Sequence, residues 1–430
     1  MKYIADFHVH SRFSRATSRA ADLEHLNLWG KRKGITVVGT GDFTHPAWLA
    51  ELKERLQPAE EGLYTLKEAF SNTLVNEFVP AGAPDVRFIL TVEISSIYKK
   101  NGRVRKVHNL IFAPNLEVAE KFAKRLDKIG NIKSDGRPIL GLDSKDLLEI
   151  TLECSDEAYL VPAHIWTPHF SMLGARSGFD SMEECFEDLT DRIFAVETGL
   201  SSDPPMNWRI SNLDKVVLIS NSDAHSPAKL GREANLFNTE LSYSGMRRAM
   251  EKKDRKAFPG TIEFFPEEGK YHYDGHRNCK QRMSPDETDK AEGLCPVCGK
   301  PVTKGVMYRV HELADRQLGT KRDGGGEFCN LIPLQEILGE ILGVGPNSKK
   351  VMAAYWNCLE KLGPELGILK DLSLSRVPMA GIPLLPEALQ RMRRGDVQLF
   401  AGYDGEFGRF NLFRQGERER LAAKAQKTLF

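Results

Sequence analysis

The chain has 430 residues, a formal net charge of +1 and a hydrophobic content of 41%, values typical of a globular protein with two or three domains. The near-neutral charge excludes a global attraction to nucleic acid, so any such contact has to come from local basic patches. The absence of a long apolar run and of an N-terminal signal sequence predicts a cytoplasmic protein without a membrane partner.

Residues 1–260 alternate short apolar runs with stretches of helical periodicity. Helices are predicted over Asp22–Lys33, Leu116–Ile129 and Ser144–Ile150, with Ser144 as the N-cap of the last. The predicted strands are Tyr3–His10, Ile35–Gly41, Phe88–Tyr98, Val104–Ala113, Tyr159–His164, Ile193–Glu197 and Val216–Ser222. Strands that alternate with helices predict a mostly parallel sheet, either open or closed into a barrel.

Histidine and acidic residues fall at the C-terminal ends of these strands. His8 and His10 are two residues apart in one strand, so their side chains share a face. The other strand ends contribute Asp42, His45, His164, Glu197, Asp223 and His225. In β/α barrels these ends form a single rim, which predicts that the side chains meet in one site.

The pair Asn101-Gly102 between two β-rich runs predicts a two-residue hairpin turn. In the register that this turn sets, Ser95 lies opposite His108, and Glu93 shares its face on a diagonal of about 7–8 Å. Glu93 and His108 are therefore candidate ligands for neighbouring metals. The hairpin tip carries a basic stripe of Lys99, Lys100, Arg103, Arg105 and Lys106, which is a candidate contact for DNA phosphates. The alternative is an ordinary solvated turn.

The full set of candidate metal ligands is His8, His10, Asp42, His45, Glu93, His108, His164, Glu197, Asp223 and His225. Each residue alone is equally well explained as a helix cap or a satisfied core group, but their spread over six segments favours a shared metal site. Imidazole and carboxylate ligands without thiolate suit two or three catalytic divalent metals, Zn, Mn, Fe or Mg. Such clusters activate a water and stabilise phosphate displacement, with Asp223, His225 and Glu197 as candidate catalytic residues.

These segments resemble the motifs of the polymerase-and-histidinol-phosphatase (PHP) family. The matching residues are Phe7-His8-Val9-His10, Gly41-Asp42-Phe43-Thr44-His45, Glu93, His108, His164 and Ser222-Asp223-Ala224-His225. The resemblance implies a distorted (β/α)7 barrel around a trinuclear metal centre, and the hydrolysis of phosphomonoesters or phosphodiesters. The chain departs from the family in one place, because Ser11–Ser18 lacks the third histidine that often follows the first pair.

Residues 261–330 are more polar and are predicted to form a zinc-binding module and a linker. The spacing of His276-x2-Cys279 and Cys295-x2-Cys298 matches a zinc ribbon and predicts one structural zinc held by these four residues. His272 is an alternative to His276 as the fourth ligand. The other interpretation is that the cysteines are ordinary ones.

Residues 331–430 combine short helical patterns with glycine and proline, and we predict a helical C-terminal DNA-binding domain there. The predicted helices include Leu334–Leu342 and Ser348–Leu362. The connection Gly343–Lys350 resembles the hairpin of DNA-binding helical motifs, in which amides at a helix start hold a phosphate. Lys349 and Lys350 are therefore candidate DNA contacts.

Over nearly its full length the chain resembles the endonuclease Q family of lesion-specific DNA nucleases. The segments that carry this resemblance are Val196–Trp208, Tyr271–His276 and Glu312–Arg316. It implies a DNA repair endonuclease that cuts damaged DNA, double- or single-stranded, on the 5′ side of deaminated bases (uracil, hypoxanthine, xanthine) and abasic sites. We expect a monomer.

Two other functions stay open. A small-molecule phosphatase such as histidinol-phosphate phosphatase would explain the barrel but would leave residues 261–430 without a role. A DNA-binding adaptor with a relic site is the non-catalytic alternative, against which the near-complete ligand set argues. An enzyme that reads a base needs a pocket for a flipped nucleotide. The segment His164–Asp180 is the candidate wall because Ser171, Gly174, Ser177 and Gly178 make its backbone accessible.

Overall fold

The computed structural model describes residues 1–421, and residues 422–430 of the predicted C-terminal domain lie outside the described residues. Its helices are α1 (Leu23–Lys33), α2 (Pro46–Arg55), α3 (Glu68–Ser71), α4 (Leu116–Leu126), α5 (Ser144–Cys154), α6 (Met182–Phe186), α7 (Pro204–Asn207), α8 (Tyr243–Glu251), α9 (Pro285–Lys290), α10 (Val306–Leu313), α11 (Leu334–Leu342), α12 (Lys349–Leu362) and α13 (Leu385–Arg394). None of the helices in this described part of the chain combines the length and hydrophobicity that a bilayer span requires.

The strands alternate with these helices over the first half of the chain. They are β1 (Lys2–Asp6), β2 (Val37–Gly39), β3 (Leu56–Pro58), β4 (Tyr64–Leu66), β5 (Arg87–Lys100), β6 (Arg103–Ala113), β7 (Ile139–Leu140), β8 (Tyr159–Pro162), β9 (Ala195–Glu197), β10 (Val217–Ile219), β11 (Ala234–Asn238), β12 (Gly260–Glu263), β13 (Asp274–His276), β14 (Gln281–Met283), β15 (Glu327–Asn330), β16 (Gln398–Phe400) and β17 (Arg409–Asn411). Each strand predicted within residues 1–260 is present, with somewhat different limits.

The central sheet contains both parallel and antiparallel strands. β1 pairs in parallel with β2, and β2 pairs in parallel with β5. β11 is antiparallel to β1 and to β12, and β6 is antiparallel to β5 and to β8. β9 and β10 form a separate parallel pair. The predicted α/β class is confirmed, although the sheet is more mixed than predicted, and the count of seven barrel strands stays a prediction.

Helix α5 begins where the sequence predicts, but its cap is a different residue. The Asp143 carboxylate accepts a hydrogen bond from the Lys145 N–H at 2.8 Å, so Asp143 is the N-cap. The Ser144 hydroxyl, predicted as the cap, is buried and accepts from the Asn109 side chain at 3.1 Å. The Ser144 hydroxyl is therefore bonded to a tertiary partner on β6, and Asp143 caps the helix in its place.

Aromatic side chains on or next to the strands pack against one another in the core. Phe7 packs edge-on against Phe112 with ring centroids 5.4 Å apart, and Phe112 stacks on Tyr159 at 4.3 Å. Full burial of such a ring stabilises the fold by about 1.5–3 kcal/mol. Because His8 follows Phe7 directly, this apolar packing fixes the strand end from which His8 projects.

Residues 264–326 connect two neighbouring strands of the central sheet, since β12 and β15 pair in parallel. The predicted boundary after residue 260 therefore falls within β12, and residues 327–330 return to the sheet. β12 is antiparallel to β11, which is antiparallel to β1. β12 thus ends at the same edge as β1, so the inserted residues leave the sheet at the edge where His8 and His10 lie.

The C-terminal helical region packs on α1. Lys33 forms a buried ion pair with Glu365, with 2.6 Å between Nζ and Oε2. The Arg32 guanidinium lies over the rings of Trp29 and Trp356, at 5.1 and 4.7 Å from their centroids. The hairpin of β16 and β17 lies beside the inserted residues, and an isolated β-bridge connects this hairpin to the insertion.

Candidate metal centre

The first group of candidate ligands lies at the end of β1. Ligand atoms of His8, His10, Glu93 and Asp223 are all within 4.8 Å of one another. His10 Nε2 is 3.0 Å from Asp223 Oδ1 and 3.4 Å from Glu93 Oε2. His8 Nε2 is 3.6 Å from the same two oxygens. Two strand ends and the long strand β5 thus deliver two imidazoles and two carboxylates to one point.

The second group shares Glu93 with the first. Glu93 Oε1 is 2.7 Å from His108 Nδ1 and 3.0 Å from His164 Nε2. The β5–β6 register that places Ser95 opposite His108 is the one predicted from the hairpin turn. A carboxylate that belongs to two ligand groups is suited to bridge two ions.

The donor set fits divalent cations. His8 Nε2 is buried without a hydrogen-bond partner, although it faces the oxygens of Glu93 and Asp223. Burial lowers the pKa of His8 and His10, but the adjacent carboxylates outweigh burial and hold both pKa values well above the usual range. The surrounding histidines likewise outweigh burial and lower the pKa values of the Glu93 and Asp223 carboxyls. A site that favours positive charge in this way is suited to metal ions.

Asp42, a predicted ligand, lies beside the first group and not in it. Asp42 Oδ1 is 3.2 Å from His10 Nδ1. Its Oδ2 accepts hydrogen bonds from the hydroxyls of Ser11 and Ser14, at 2.6 and 2.9 Å. Asp42 therefore orients His10 from behind, and two serine hydroxyls satisfy it in the stretch that lacks the third histidine.

Glu197, a predicted ligand and catalytic residue, also lies outside both groups. Its carboxylate contacts His8 Nδ1 at 3.0 Å and accepts from the His164 N–H and the Asn221 side chain, each at 2.8 Å. This contact makes Nδ1 the protonated nitrogen of His8 and leaves Nε2 free for an ion. The structure thus places Glu197 as a support for His8.

His45 and His225 complete the predicted set but stand apart from both ligand groups. His45 Nε2 lies 3.1 Å from the Lys133 carbonyl oxygen. His225 Nδ1 lies 2.9 Å from the Asp223 carbonyl oxygen, and its ring centroid is 4.5 Å from that of His10. His225 lines the mouth of the site, and its role as a ligand stays a prediction.

Sequence reasoning missed Arg137, which reaches the site from the loop before β7. Its Nη1 is 3.2 Å from Glu93 Oε2, and its side chain is 26% exposed. The preceding Gly136 lies so close to Asp42 that a Cβ there would be 2.3 Å from Oδ2. The Asp135-Gly136 pair signals a turn in the sequence, but nothing in the sequence places that turn against the site.

The four predicted ligands of the inserted module converge as a third group. Ligand atoms of His276, Cys279, Cys295 and Cys298 lie within 4.8 Å of one another. His272 is buried elsewhere and does not belong to this group. Burial raises the pKa of Cys295, but backbone N–H groups outweigh burial and lower it to about 7, which favours the metal-binding thiolate.

The basic residues of the β5–β6 hairpin differ in exposure. Lys99 and Arg103 are exposed at the tip. Lys100 forms ion pairs with two carboxylates, at 2.8 and 3.2 Å. Arg105 is only 4% exposed and lies 4.1 Å above the Phe179 ring centroid. The prediction that Arg105 belongs to an exposed basic stripe is therefore wrong, since its guanidinium packs under the neighbouring loop.

Lys349 and Lys350 are exposed at the start of α12. The Ser348 hydroxyl accepts from the Val351 N–H at 3.3 Å and caps the helix. α11 ends at Gly343, whose φ of 66° requires a residue that tolerates the left-handed region. The predicted helix–hairpin–helix arrangement is therefore present, with both lysines facing solvent.

The segment predicted as a base-pocket wall contains hydrogen bonds between its own residues. The Gly178 N–H donates to the Gly174 carbonyl oxygen at 2.9 Å, and the Ser171 hydroxyl donates to that of Thr167 at 2.5 Å. The Gly178 amide is thus already used and is not the free donor that the sequence suggested. Its role here is to hold the shape of residues 164–180.

Two solved structures are similar to nearly the whole chain. The lesion-specific endonuclease PfuEndoQ from Pyrococcus furiosus is 29% identical, with a TM-score of 0.83 over 96% of this chain and 95% of that one. Endonuclease Q in complex with a 27-mer duplex substrate with an abasic lesion at the active site is 28% identical, with a TM-score of 0.81 over 96% and 98% of the two chains.

A relative of unassigned function also matches. The uncharacterised protein MJ0043 of Methanocaldococcus jannaschii is 29% identical over 284 residues, which are 63% of this chain and 35% of that protein. The chain thus spans about a third of the length of MJ0043. No protein-family model matches the chain.

Proposed function

We propose that the chain belongs to the endonuclease Q family and is a metal-dependent DNA repair endonuclease. Its substrates are duplexes with an abasic site or a deaminated base, namely uracil, hypoxanthine or xanthine, and it hydrolyses the phosphodiester on the 5′ side of the lesion. The observation that carries the proposal is the pair of ligand groups joined by Glu93, in a chain whose likeness to two endonuclease Q structures covers 96% of its length.

The two ligand groups would hold two divalent ions, with Glu93 between them, and the ions are Zn, Mn, Fe or Mg. Bound there, such ions supply an activated water and charge stabilisation for phosphodiester hydrolysis. The PHP resemblance implies a third ion, for which His45 and His225 remain the predicted ligands. The cysteine group would hold one structural zinc that folds the inserted module.

The protein's own residues orient the site and its substrate. Glu197 holds the tautomer of His8 that leaves Nε2 free, as described above. Asp223, with 28% of its side chain exposed, is the most accessible ligand of the first group. Arg137 uses one nitrogen for Glu93, and its remaining donors are free for a phosphate oxygen. These roles agree with in-line displacement at a phosphate.

DNA contacts away from the metals come from exposed cations. Lys99 and Arg103 extend beyond the site on the β5–β6 hairpin, while Lys349 and Lys350 stand at the start of α12. Such contacts give affinity without sequence preference. The proposed protein acts as a monomer in the cytoplasm.

Reading a base requires its removal from the stack. Uracil, hypoxanthine and xanthine share a carbonyl and a ring N–H where the parent base has an amine and a ring acceptor. A pocket with matching donors and acceptors would accept all three, whereas cytosine would leave buried polar groups unpaired. Flipping the nucleotide costs a few kcal/mol, and an abasic site avoids most of that cost.

The test is incision of matched duplexes that carry uracil, hypoxanthine, xanthine, an abasic site or cytosine at one position, with and without added metal. We expect cuts 5′ to each lesion, none at cytosine and none after chelation. Equal cutting at cytosine would show that no base is read. Rapid hydrolysis of histidinol phosphate with no DNA incision would replace this proposal by the small-molecule phosphatase.

A further inference from the structure

A loop of residues 164–180, here called the site loop, supports both histidines of the second ligand group. His164 is its first residue. The Phe170 carbonyl oxygen accepts from the His108 N–H at 3.1 Å, and the Ser177 carbonyl oxygen accepts from the Lys106 N–H at 3.2 Å. Movement of the site loop would therefore displace His164 directly and His108 through its backbone.

Arg309, on α10, holds the outer side of the site loop. Its Nε donates to the Leu173 carbonyl oxygen at 3.0 Å, and its Nη2 donates to the Phe179 carbonyl oxygen at 3.0 Å. The same Nη2 pairs with the Asp180 carboxylate, and the arginine side chain is only 13% exposed. One planar guanidinium thus bridges two distant points of the site loop, a task to which its fixed fork of donors is suited.

Helix α10 is in turn bonded to the cysteine-containing module. The Val306 N–H donates to the Tyr271 carbonyl oxygen at 2.8 Å, and the Met307 N–H donates to that of His272 at 3.0 Å. The Gly305 N–H donates to Asp274 Oδ1 at 2.6 Å. Because these acceptors lie within five residues of the candidate zinc ligand His276, α10 is fastened to the segment that carries this ligand.

We propose that Arg309 is a positioning residue that fastens the site loop to the module and thereby sets the geometry of the group formed by Glu93, His108 and His164. The module is then part of the support of the reaction centre, in addition to any contact that it makes with DNA. The kinetic side of this inference rests on the proposed function, but the position of the site loop can be measured without any activity.

Arg322 offers a matched control from the same inserted residues. It is also buried, with 9% of its side chain exposed, and it also donates to barrel carbonyl oxygens, those of Leu213, Asp214 and Val216. These acceptors precede β10, at the end of that strand opposite to Asp223. Loss of Arg322 would loosen the insertion without touching the site loop.

The experiment compares Arg309→Met, Arg309→Lys and Arg322→Met in the full chain loaded with metal. In Arg309→Met we expect amides of the site loop to exchange with deuterium about tenfold faster or more. We expect kcat on an abasic duplex to fall by roughly 10- to 100-fold with an unchanged KM, because small misplacements of a reacting group have effects of that size. Arg309→Lys should recover part of both, and Arg322→Met should change neither.

Unchanged exchange of the site loop in a folded Arg309→Met would overturn the proposal. So would a rise in KM at constant kcat, which would make Arg309 a DNA contact, or equal effects in Arg322→Met, which would make the loss a general loosening of the insertion. Absence of incision by the wild-type chain would defeat the proposed function alone, since the exchange comparison would still decide whether Arg309 holds the site loop.

Discussion

Several site residues have backbone angles that most L-amino acids avoid. φ is 52° at Asp42, 29° at His164 and 47° at Asp223. These residues follow β2, β8 and β10, where the chain turns sharply out of the strand. Positive φ at non-glycine residues costs free energy and persists only where the surrounding structure enforces it. The turns therefore serve to direct the three side chains inwards.

Asp223→Asn tests the first ligand group. Asparagine tolerates positive φ as well as aspartate does, so the backbone should be kept while one anionic ligand is lost. We expect incision of an abasic duplex to fall by roughly 100-fold or more. DNA affinity should change by no more than about twofold, since phosphate contacts elsewhere dominate it. Single-turnover incision and equilibrium binding measure the two quantities, with Asp85→Asn, on an exposed loop, as the control. Incision by Asp223→Asn at the wild-type rate would show that Asp223 is not part of the metal centre.

The variant Glu197→Gln tests whether the Glu197 carboxylate orients His8 through its contact with Nδ1. Glutamine keeps one acceptor oxygen but presents an NH₂ group to N–H donors, so the orientation of His8 should be lost. Metal affinity should weaken by roughly 10- to 100-fold, as measured by metal titration. Glu263→Gln is the matched control, because burial raises the pKa of Glu263 and so favours the neutral form that glutamine resembles. An equal loss of metal in both variants would contradict the assignment.

At this scale the sequence predicted which residue types form the site, because i, i+2 pairs and strand ends are local features. It did not predict which of these residues lie within the two ligand groups and which lie beside them. Glu197 and Asp42 were predicted as ligands, and the structure places them behind His8 and His10. Arg137 was missed, since its position depends on the close approach of a distant turn. These positions depend on tertiary contacts, which no local sequence pattern predicts.

Among the elements, the β5–β6 hairpin was predicted most fully, down to its register. Both turn residues have positive φ, 53° at Asn101 and 72° at Gly102, as a tight two-residue turn requires. The exposure of its basic side chains was predicted less well. Strand alternation gives the face of Arg105, but only the fold shows that Phe179 covers that face.

Reversing the charge at the hairpin tip should weaken DNA binding without changing the site. Lys99 lies six residues beyond Glu93, or roughly 20 Å along the strand. We expect the variant Lys99→Glu/Arg103→Glu to reduce the salt dependence of binding by about two ions. The measurement is affinity against salt concentration. The pair Lys252→Glu/Lys256→Glu, exposed near the start of β12 at the other edge of the sheet, is the control. Equal slopes in all three proteins would exclude the tip from the interface.

The inserted module should depend on its own metal. Cys295 is 1% exposed within its ligand group, so Cys295→Ser should lose one tightly held zinc and destabilise residues 270–305. DNA affinity should fall, while metal binding at the two ligand groups that share Glu93 should be retained. Elemental analysis and hydrogen exchange give these quantities, with Cys329→Ser, outside the group, as the control. An unchanged zinc content would show that the cysteines are ordinary.

In the whole molecule, domain limits were harder to predict than elements. The composition does change after residue 260, but the sheet does not end there. β12 precedes the insertion and β15 follows it, and the two strands pair with each other. A parallel pair between strands so far apart in the sequence leaves no local signal. The docking of the C-terminal helices on α1 was likewise invisible, since it depends on a lysine and a glutamate that lie 332 residues apart.

That ion pair provides a test of the whole assembly. Lys33 and Glu365 have side chains only 7% and 3% exposed, and Glu365 also accepts from the Tyr355 hydroxyl at 2.7 Å and the Leu334 N–H at 3.1 Å. Removing one partner of a buried pair leaves an uncompensated charge, so Lys33→Met should lower the free energy of unfolding by about 3–5 kcal/mol.

Denaturant unfolding, followed by fluorescence of the tryptophans at the α1 contact, measures this loss. The double variant Lys33→Met/Glu365→Leu should recover most of it, because an apolar pair avoids the desolvation of both charges. Lys53→Met, which removes an exposed pair with Glu120, should leave stability nearly unchanged. If Lys33→Met behaved like Lys53→Met, the C-terminal region would be held by its apolar contacts alone and the buried pair would have no part in the docking.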